Sequence, residues 1–279
     1  MTLPPPDATS VPRLDPGFSA AVVAATVTRL RAAGCVFAED EAALLAEAAH
    51  DTVHLDTLTA RRAAGLPLEH VVGWAEFCGL RIAVDEDVFV PRRRTQFLAR
   101  HAAALATSGA VVVDLCCGAG AIGAAVASAV PGVELYAADI HPAAVRCARG
   151  NLATYGARVF EGDLFAPLPA DVRGRVAVLT ANTPYVPTAE IGLLPSEARD
   201  HEPLVALDGG SDGLDLQRRI AAEAAGWLAP GGHLLVETSE EQAAEAVAVF
   251  TTSGLTARVV EDEDLYATVV VGTRPAAGA

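Results

Sequence analysis

"VVVDLCCGAGAIGAAVA", residues 111 to 127, decides the fold. An apolar run meets a turn bearing two glycines, and an alanine-rich run of helical character follows at once. The order is strand, tight turn, helix. Gly118 and Gly120 let the main chain approach a ligand where a side chain would collide. Asp139 closes the next apolar run, "ELYAAD" (134–139). It lies about twenty residues past the glycines, the separation at which an acid reaches ribose hydroxyls. A ligand-free strand-to-helix turn accounts for the glycines but not for the acid.

The alternation continues downstream. Further strands are predicted at "ARVFEGD" (157–163), "VAVLTAN" (176–182) and "HLLVET" (233–238), with helical segments between these first five strands. "TARVVED" (256–262) and "YATVVVG" (266–272) close the chain as a hairpin, so one of them runs antiparallel. This pattern predicts an α/β fold, a mostly parallel Rossmann-like sheet of seven strands with helices on both faces.

Upstream the period changes. "SAAVVAATVTRLRAAG" opens on a capping serine and ends on Gly34. "EDEAALLAEAAHD" and "TLTARRAAGLP" predict two more helices, the last stopped by Gly65 and Pro67. "EFCGLRIAVDEDVFVP" alternates around an acidic turn and predicts a β-hairpin. The expected division is a mobile tail (1–17), a small helical domain (18–72), a hairpin linker (73–96) and the sheet domain (97–279).

Composition narrows the function classes. The 279 residues carry a net charge of -15, and all 20 basic residues are arginine. Such a surface repels a phosphate backbone, so a nucleic-acid partner is not expected. No apolar run approaches the roughly 20 residues of a membrane span. The N-terminus lacks signal-peptide features, and a cytoplasmic setting is expected. The five cysteines form no CxxC pair, the seven histidines show no metal spacing, and no metal site is expected.

Two ligand types use a glycine turn followed by such an acid. A dinucleotide needs a helix N-terminus cleared by three glycines for its pyrophosphate. Here the spacing is tighter, with Cys116 where a first glycine would stand, which suits S-adenosylmethionine, a ligand without phosphate. At the next strand end, "GDLF" (162–165) offers Asp163 to an adenine amino group and Leu164 and Phe165 as apolar cover; a turn-capping aspartate would look the same. "TANTPYVP" (180–187) ends the fourth strand on the same edge.

"DLCCGAG", Asp139, "GDLF" and "NTPYVP", in that order, resemble a class I S-adenosylmethionine-dependent methyltransferase with an Asn-Pro-Pro-Tyr motif. "GLPLEHVVGWAEFCGLRIAVDEDVFVPRRRTQ", "EPLVALDGGSDGLDLQRRI" (202–220) and "GWLAPGGHLLVETSEEQ" (226–242) narrow the resemblance to the HemK-type (PrmC) protein-(glutamine-N5) methyltransferases, over residues 18 to 274. The resemblance implies methylation of a glutamine side-chain amide in a protein, typically in the Gly-Gly-Gln loop of a release factor, by a monomer. It implies cofactor contacts at Asp114, Cys116, Gly118, Gly120, Asp139, Asp163, Leu164 and Asn182. It implies acceptor contacts at Asn182, Thr183, Pro184 and Tyr185. The Asn182 side-chain oxygen and the Thr183 carbonyl would each accept one amide N–H and aim the nitrogen lone pair at the methyl group.

Thr183 stands where the family has its first proline; Cys116, Leu164 and Gln96 depart too. A divergent paralogue is expected, with its acceptor open. A small-molecule or nucleobase amine and an inactive cofactor-binding relic are the alternatives. Arg92 to Arg94 are expected as a solvated cluster, with a contact to a partner or to the cofactor carboxylate as the alternative, and Glu237 as a solvated strand-end acid; Glu202, Pro203 and "DGGSDG" (208–213) are expected as a lid or a surface loop.

Overall fold

The computed structural model describes residues 17–276, so the expected tail lies outside the described residues except for Gly17. The chain divides into two units between Val72 and Gly73. The first holds helices α1 (Ala20–Ala32), α2 (Ala38–Ala48), α3 (Thr52–Ala63) and the short α4 (Leu68–Val72). Ser19 caps α1 by accepting the Val22 N–H, and Asp51 caps α3 by accepting the His54 N–H at 2.7 Å. Each cap satisfies an N–H left over at a helix start, worth about 1 kcal/mol. Leu30, Leu45, Leu55 and Leu58 form the core of this unit. Arg62 crosses it to hold Glu41 in a buried two-point ion pair at 2.7 and 3.1 Å.

The second unit opens with strands β1 (Trp74–Phe77) and β2 (Leu80–Ala83), paired antiparallel. The chain reverses at Cys78 and Gly79, both left-handed at φ 52° and 77°, and not at the acidic Asp85–Asp87. Left-handed residues at both turn positions match the twist of a two-residue hairpin. Glu76 accepts the Gly79 N–H at 2.7 Å and fixes the reversal. The acidic segment forms a separate turn, in which the Val88 N–H donates to the Asp85 carbonyl at 3.2 Å, and Val84, Val88 and Val90 around it are buried.

Helix α5 (Thr95–Leu105) leads into β3 (Val111–Leu115), α6 (Ala121–Ala129), β4 (Glu134–Asp139), α7 (Pro142–Leu152), β5 (Arg158–Glu161) and β6 (Val176–Ala181). Then come α8 (Ser196–His201), α9 (Asp215–Trp227), β7 (Leu228–Thr238), α10 (Ala243–Thr252), β8 (Thr256–Asp262) and β9 (Ala267–Thr273). The expected helix between β5 and β6 is absent. Pro167 and Pro169 remove backbone donors there, and only a 3₁₀ turn, Ala170–Val172, forms.

The sheet order is β5-β4-β3-β6-β7-β9-β8, with β9 antiparallel to both neighbours. Val112 packs in the core beneath α5, α6 and α7, while Val111, Val113 and Leu115 pack in the core beneath α9 and α10. Burial on both faces explains why β3 reads as a continuous apolar run. From β3 the chain builds outward through β4 and β5, then returns to add β6 on the other side. That reversal opens a crevice at the carboxyl ends of β3 and β6, where ligands bind in open α/β sheets.

Candidate active site

A cavity of about 590 Å³ lies over this crevice, in the size range of cofactor sites. Residues from the ends of β3, β4, β5 and β6 and from the segments 89–95 and 194–207 line it.

At the end of β3, Cys116 has a left-handed φ of 53°, a geometry that suits glycine better. Burial first, then Asp139, Asp114 and Asp163, push its thiol up, so it stays neutral. Gly118, also left-handed, donates its N–H to Asp139 at 2.8 Å, and Asp139 also accepts the His141 N–H at 2.8 Å. The acid at the end of β4 thus fixes the shape of the glycine turn. Burial lifts the Asp139 carboxyl above its ordinary range against the pull of those two N–H groups.

Two of the residues expected at the cofactor, Asp114 and Gly120, lie outside the cavity lining. Asp114 is buried, accepting the Gly123 N–H at 3.1 Å and the Thr180 hydroxyl at 2.9 Å, and so ties β3 to α6 and β6. Gly120 packs α6 against α7: an added Cβ would stand 3.0 Å from Leu152. These residues shape the turn from behind. Asn151 joins them, donating to the Ala119 carbonyl at 2.8 Å and exchanging bonds with Ala83 of the hairpin.

Asp163, Leu164 and Phe165 follow β5. Asp163 and Leu164 line the cavity, and Asp163 pairs with Arg219 of α9 at 2.6 Å. Phe165 is buried and stacks on Trp227, outside the lining.

Asn182, Thr183, Pro184 and Tyr185 all line the cavity just past the end of β6. The Asn182 Nδ2 donates to the Thr95 hydroxyl at 3.5 Å, and its buried Oδ1 has no hydrogen-bond partner. An orphaned buried acceptor is costly unless a ligand completes it. Thr183 is buried as well.

Of the residues expected to be solvated, Arg93 is exposed, whereas Arg92, Arg94 and Glu237 are paired. Arg94 donates through Nε to Glu237 at 3.0 Å and also bonds the Tyr185 hydroxyl. The Glu237 side chain is 2% exposed. Burial works against the Arg94 charge, but Tyr185 and Glu237 outweigh it and hold the guanidinium above its ordinary range. Arg92 pairs with Glu202, whose other oxygen accepts the Val90 N–H at 3.0 Å. The glycines of "DGGSDG" do not line the cavity. They pack behind the Asn182–Tyr185 turn, where Cβ atoms on Gly209 and Gly213 would strike the Pro184 and Tyr185 carbonyls.

The sheet order, the glycine turn fixed by a strand-end acid, and the polar turn after β6 define a class I S-adenosylmethionine-dependent methyltransferase. The "Methyltransferase small domain" family profile matches residues 86–190. The chain is 40% identical to the release factor glutamine methyltransferase of Geobacter sulfurreducens, over 71% of this chain and 69% of that one. It belongs to that family. It is also 37% identical to a 4-amino-L-phenylalanine/4-methylamino-L-phenylalanine methyltransferase of Streptomyces pristinaespiralis, over 70% of this chain and 68% of that one. A methyltransferase of Pyrococcus furiosus shares the fold, with a TM-score of 0.56 at 15% identity over 77% of this chain and 99% of that one.

The residues fit the cofactor. Gly118 leaves open space at its Cα, Asp139 offers carboxylate oxygens, Leu164 and Ile140 offer apolar walls, and the His141 Nδ1 is a buried polar atom without a partner. Bound there, S-adenosylmethionine supplies an electrophilic methyl group. Among the described residues there is no metal-ligating cluster, and no helix is long and apolar enough to cross a membrane.

Proposed function

We propose that this protein methylates the side-chain nitrogen of a glutamine in a protein, the Gly-Gly-Gln loop of a peptide chain release factor being the first acceptor to test. One observation carries the reading: the buried Asn182 Oδ1, unpartnered in the cavity at the end of β6. An amide nitrogen is a poor nucleophile because its lone pair is delocalised into the carbonyl. Holding both its N–H groups, one on Asn182 Oδ1 and one on the Thr183 carbonyl, turns the lone pair toward the methyl donor. Positioning of this kind supplies much of the rate enhancement. The two acceptors also favour the positive charge that develops on nitrogen during transfer. The proton then lost is strongly acidic, so no general base is required.

In this reading Asp139 binds the ribose, Gly118 and Cys116 border the cofactor backbone, and Asp163 and Leu164 face the adenine. Tyr185 packs beside the acceptor side chain. The protein works as a cytoplasmic monomer on a protein partner, without nucleic acid, and the first unit recognises that partner.

The relative that methylates an aromatic amino group favours a second reading, a small primary aromatic amine as acceptor. The same oxygen pair would hold its two N–H groups. Parallel assays with release factor and with 4-amino-L-phenylalanine separate the two. Methyl transfer to the Gly-Gly-Gln glutamine supports the first reading. Transfer to the small amine alone replaces it, and transfer to neither by protein that binds the cofactor points to an inactive relic.

A further inference from the structure

The turn Asn182–Tyr185 lacks the proline that would stiffen its second position, and its asparagine is held weakly. The only hydrogen bond of the Asn182 side chain among the described residues is the 3.5 Å contact to Thr95. Among the described residues the Thr183 N–H also has no acceptor. A proline there would fix its own φ and restrict Asn182 to extended conformations; threonine does neither. Something else must orient the turn.

One buried carboxylate reaches both of its ends. Glu237 Oε1, at the end of β7, faces the Tyr185 hydroxyl at 3.4 Å. The same oxygen accepts from Arg94 Nε at 3.0 Å, and Arg94 bonds the Tyr185 hydroxyl too, closing a three-membered ring of contacts. The residue after Arg94 is Thr95, which holds Asn182. Glu237 therefore grips the tyrosine end directly and the asparagine end through Arg94 and the first residue of α5. The Glu237 side chain is 2% exposed while that of Arg94 is 44% exposed, so water screens the pair from the arginine side only. Gln242 adds a third point, donating to the Tyr185 carbonyl at 3.0 Å.

We infer that Arg94 and Glu237 are positioning residues that brace the Asn-Thr-Pro-Tyr turn from both ends and supply the rigidity that Thr183 does not. Neither needs to touch the reacting atoms. The kinetic part of this inference rests on the amide-clamp reading; the conformational part does not.

The experiment has two arms, on the full chain as Arg94→Ala, Arg94→Lys and Glu237→Gln, each with Thr183 and with Thr183→Pro. The first arm needs no acceptor. It follows hydrogen exchange of the Val186 amide, which donates to the Leu207 carbonyl at 3.2 Å just past the turn. The brace predicts exchange about tenfold faster in Arg94→Ala and Glu237→Gln. Arg94→Lys, which keeps the charge but not the fork, should fall between them and the wild type. Adding Thr183→Pro should return exchange toward the wild-type rate. The second arm measures methyl transfer to release factor. Arg94→Ala should lower kcat about 30-fold, with the KM for S-adenosylmethionine changed less than twofold. In the Thr183→Pro background the same substitution should cost less than threefold. Unchanged Val186 exchange in both variants, or an Arg94→Ala deficit equally large with proline at 183, overturns the brace. A wild type that transfers nothing refutes the proposed acceptor alone, and the exchange arm still decides the brace.

Discussion

At the residue scale the proposed function turns on one oxygen. Asn182 Oδ1 is buried and unpartnered, and in the amide-clamp proposal replacing it removes a hydrogen-bond acceptor that matters only once the substrate nitrogen is bound. Asn182→Ala is therefore expected to lower kcat about 10²–10³-fold, by analogy with the loss of one preorganised polar contact, while the dissociation constant for S-adenosylhomocysteine changes less than twofold. Calorimetry alongside a methyl-transfer assay checks both. The two glycines of the turn separate in the same way. Gly118 lines the cavity with open space at its Cα, so Gly118→Ala should weaken cofactor binding most. Gly120 is left-handed and pressed by Leu152, so Gly120→Ala should cost about 2 kcal/mol of stability in a urea titration. The sequence made the motif residues legible because they follow strand ends in a fixed order. It could not show that Asn182 is left unpartnered, nor that Arg92 and Arg94 pair with buried acids 110 and 143 residues away. A run of three arginines beside a proline reads as solvated, and only the fold brings Glu202 and Glu237 to it.

At the element scale, Asp114 joins β3, α6 and β6 behind the cofactor turn. Burial pushes its carboxyl up to about 7, from an ordinary value of 3.8. Because the folded value is the higher one, the native state binds more protons than the unfolded state between those limits. Stability from this group is therefore present below about pH 4 and is lost as pH rises toward 7. Asparagine mimics the neutral acid, with an oxygen for the Gly123 N–H and an amide for Thr180. Asp114→Asn should flatten the decline, so its stability relative to wild type is greater at pH 8 than at pH 5 in urea unfolding. The strands of the large sheet were readable because their apolar runs are short and punctuated. The hairpin reversal was misplaced because three acidic residues signal a turn more strongly than Cys78 does, although the chain reverses at Cys78. The missing helix before β6 was readable in retrospect from Pro167 and Pro169.

At the scale of the whole molecule, every residue lining the cavity belongs to the unit after Val72, which has its own cores on both sheet faces. Residues 73–279 expressed alone should bind S-adenosylhomocysteine within threefold of the full chain. If the first unit recognises the acceptor, that fragment should lose transfer to release factor. The net charge of -15 further predicts no retention of labelled RNA at physiological salt, measurable by filter binding. The central claim is that the turn after β6 clamps a glutamine amide beside the methyl donor. Its most direct test uses tritiated S-adenosylmethionine with purified release factor and compares the wild type with Asn182→Ala. Label on the Gly-Gly-Gln glutamine with the wild type and its loss in the variant is the expected result. Equal labelling by the two proteins, or none by a wild type that binds the cofactor, would contradict it.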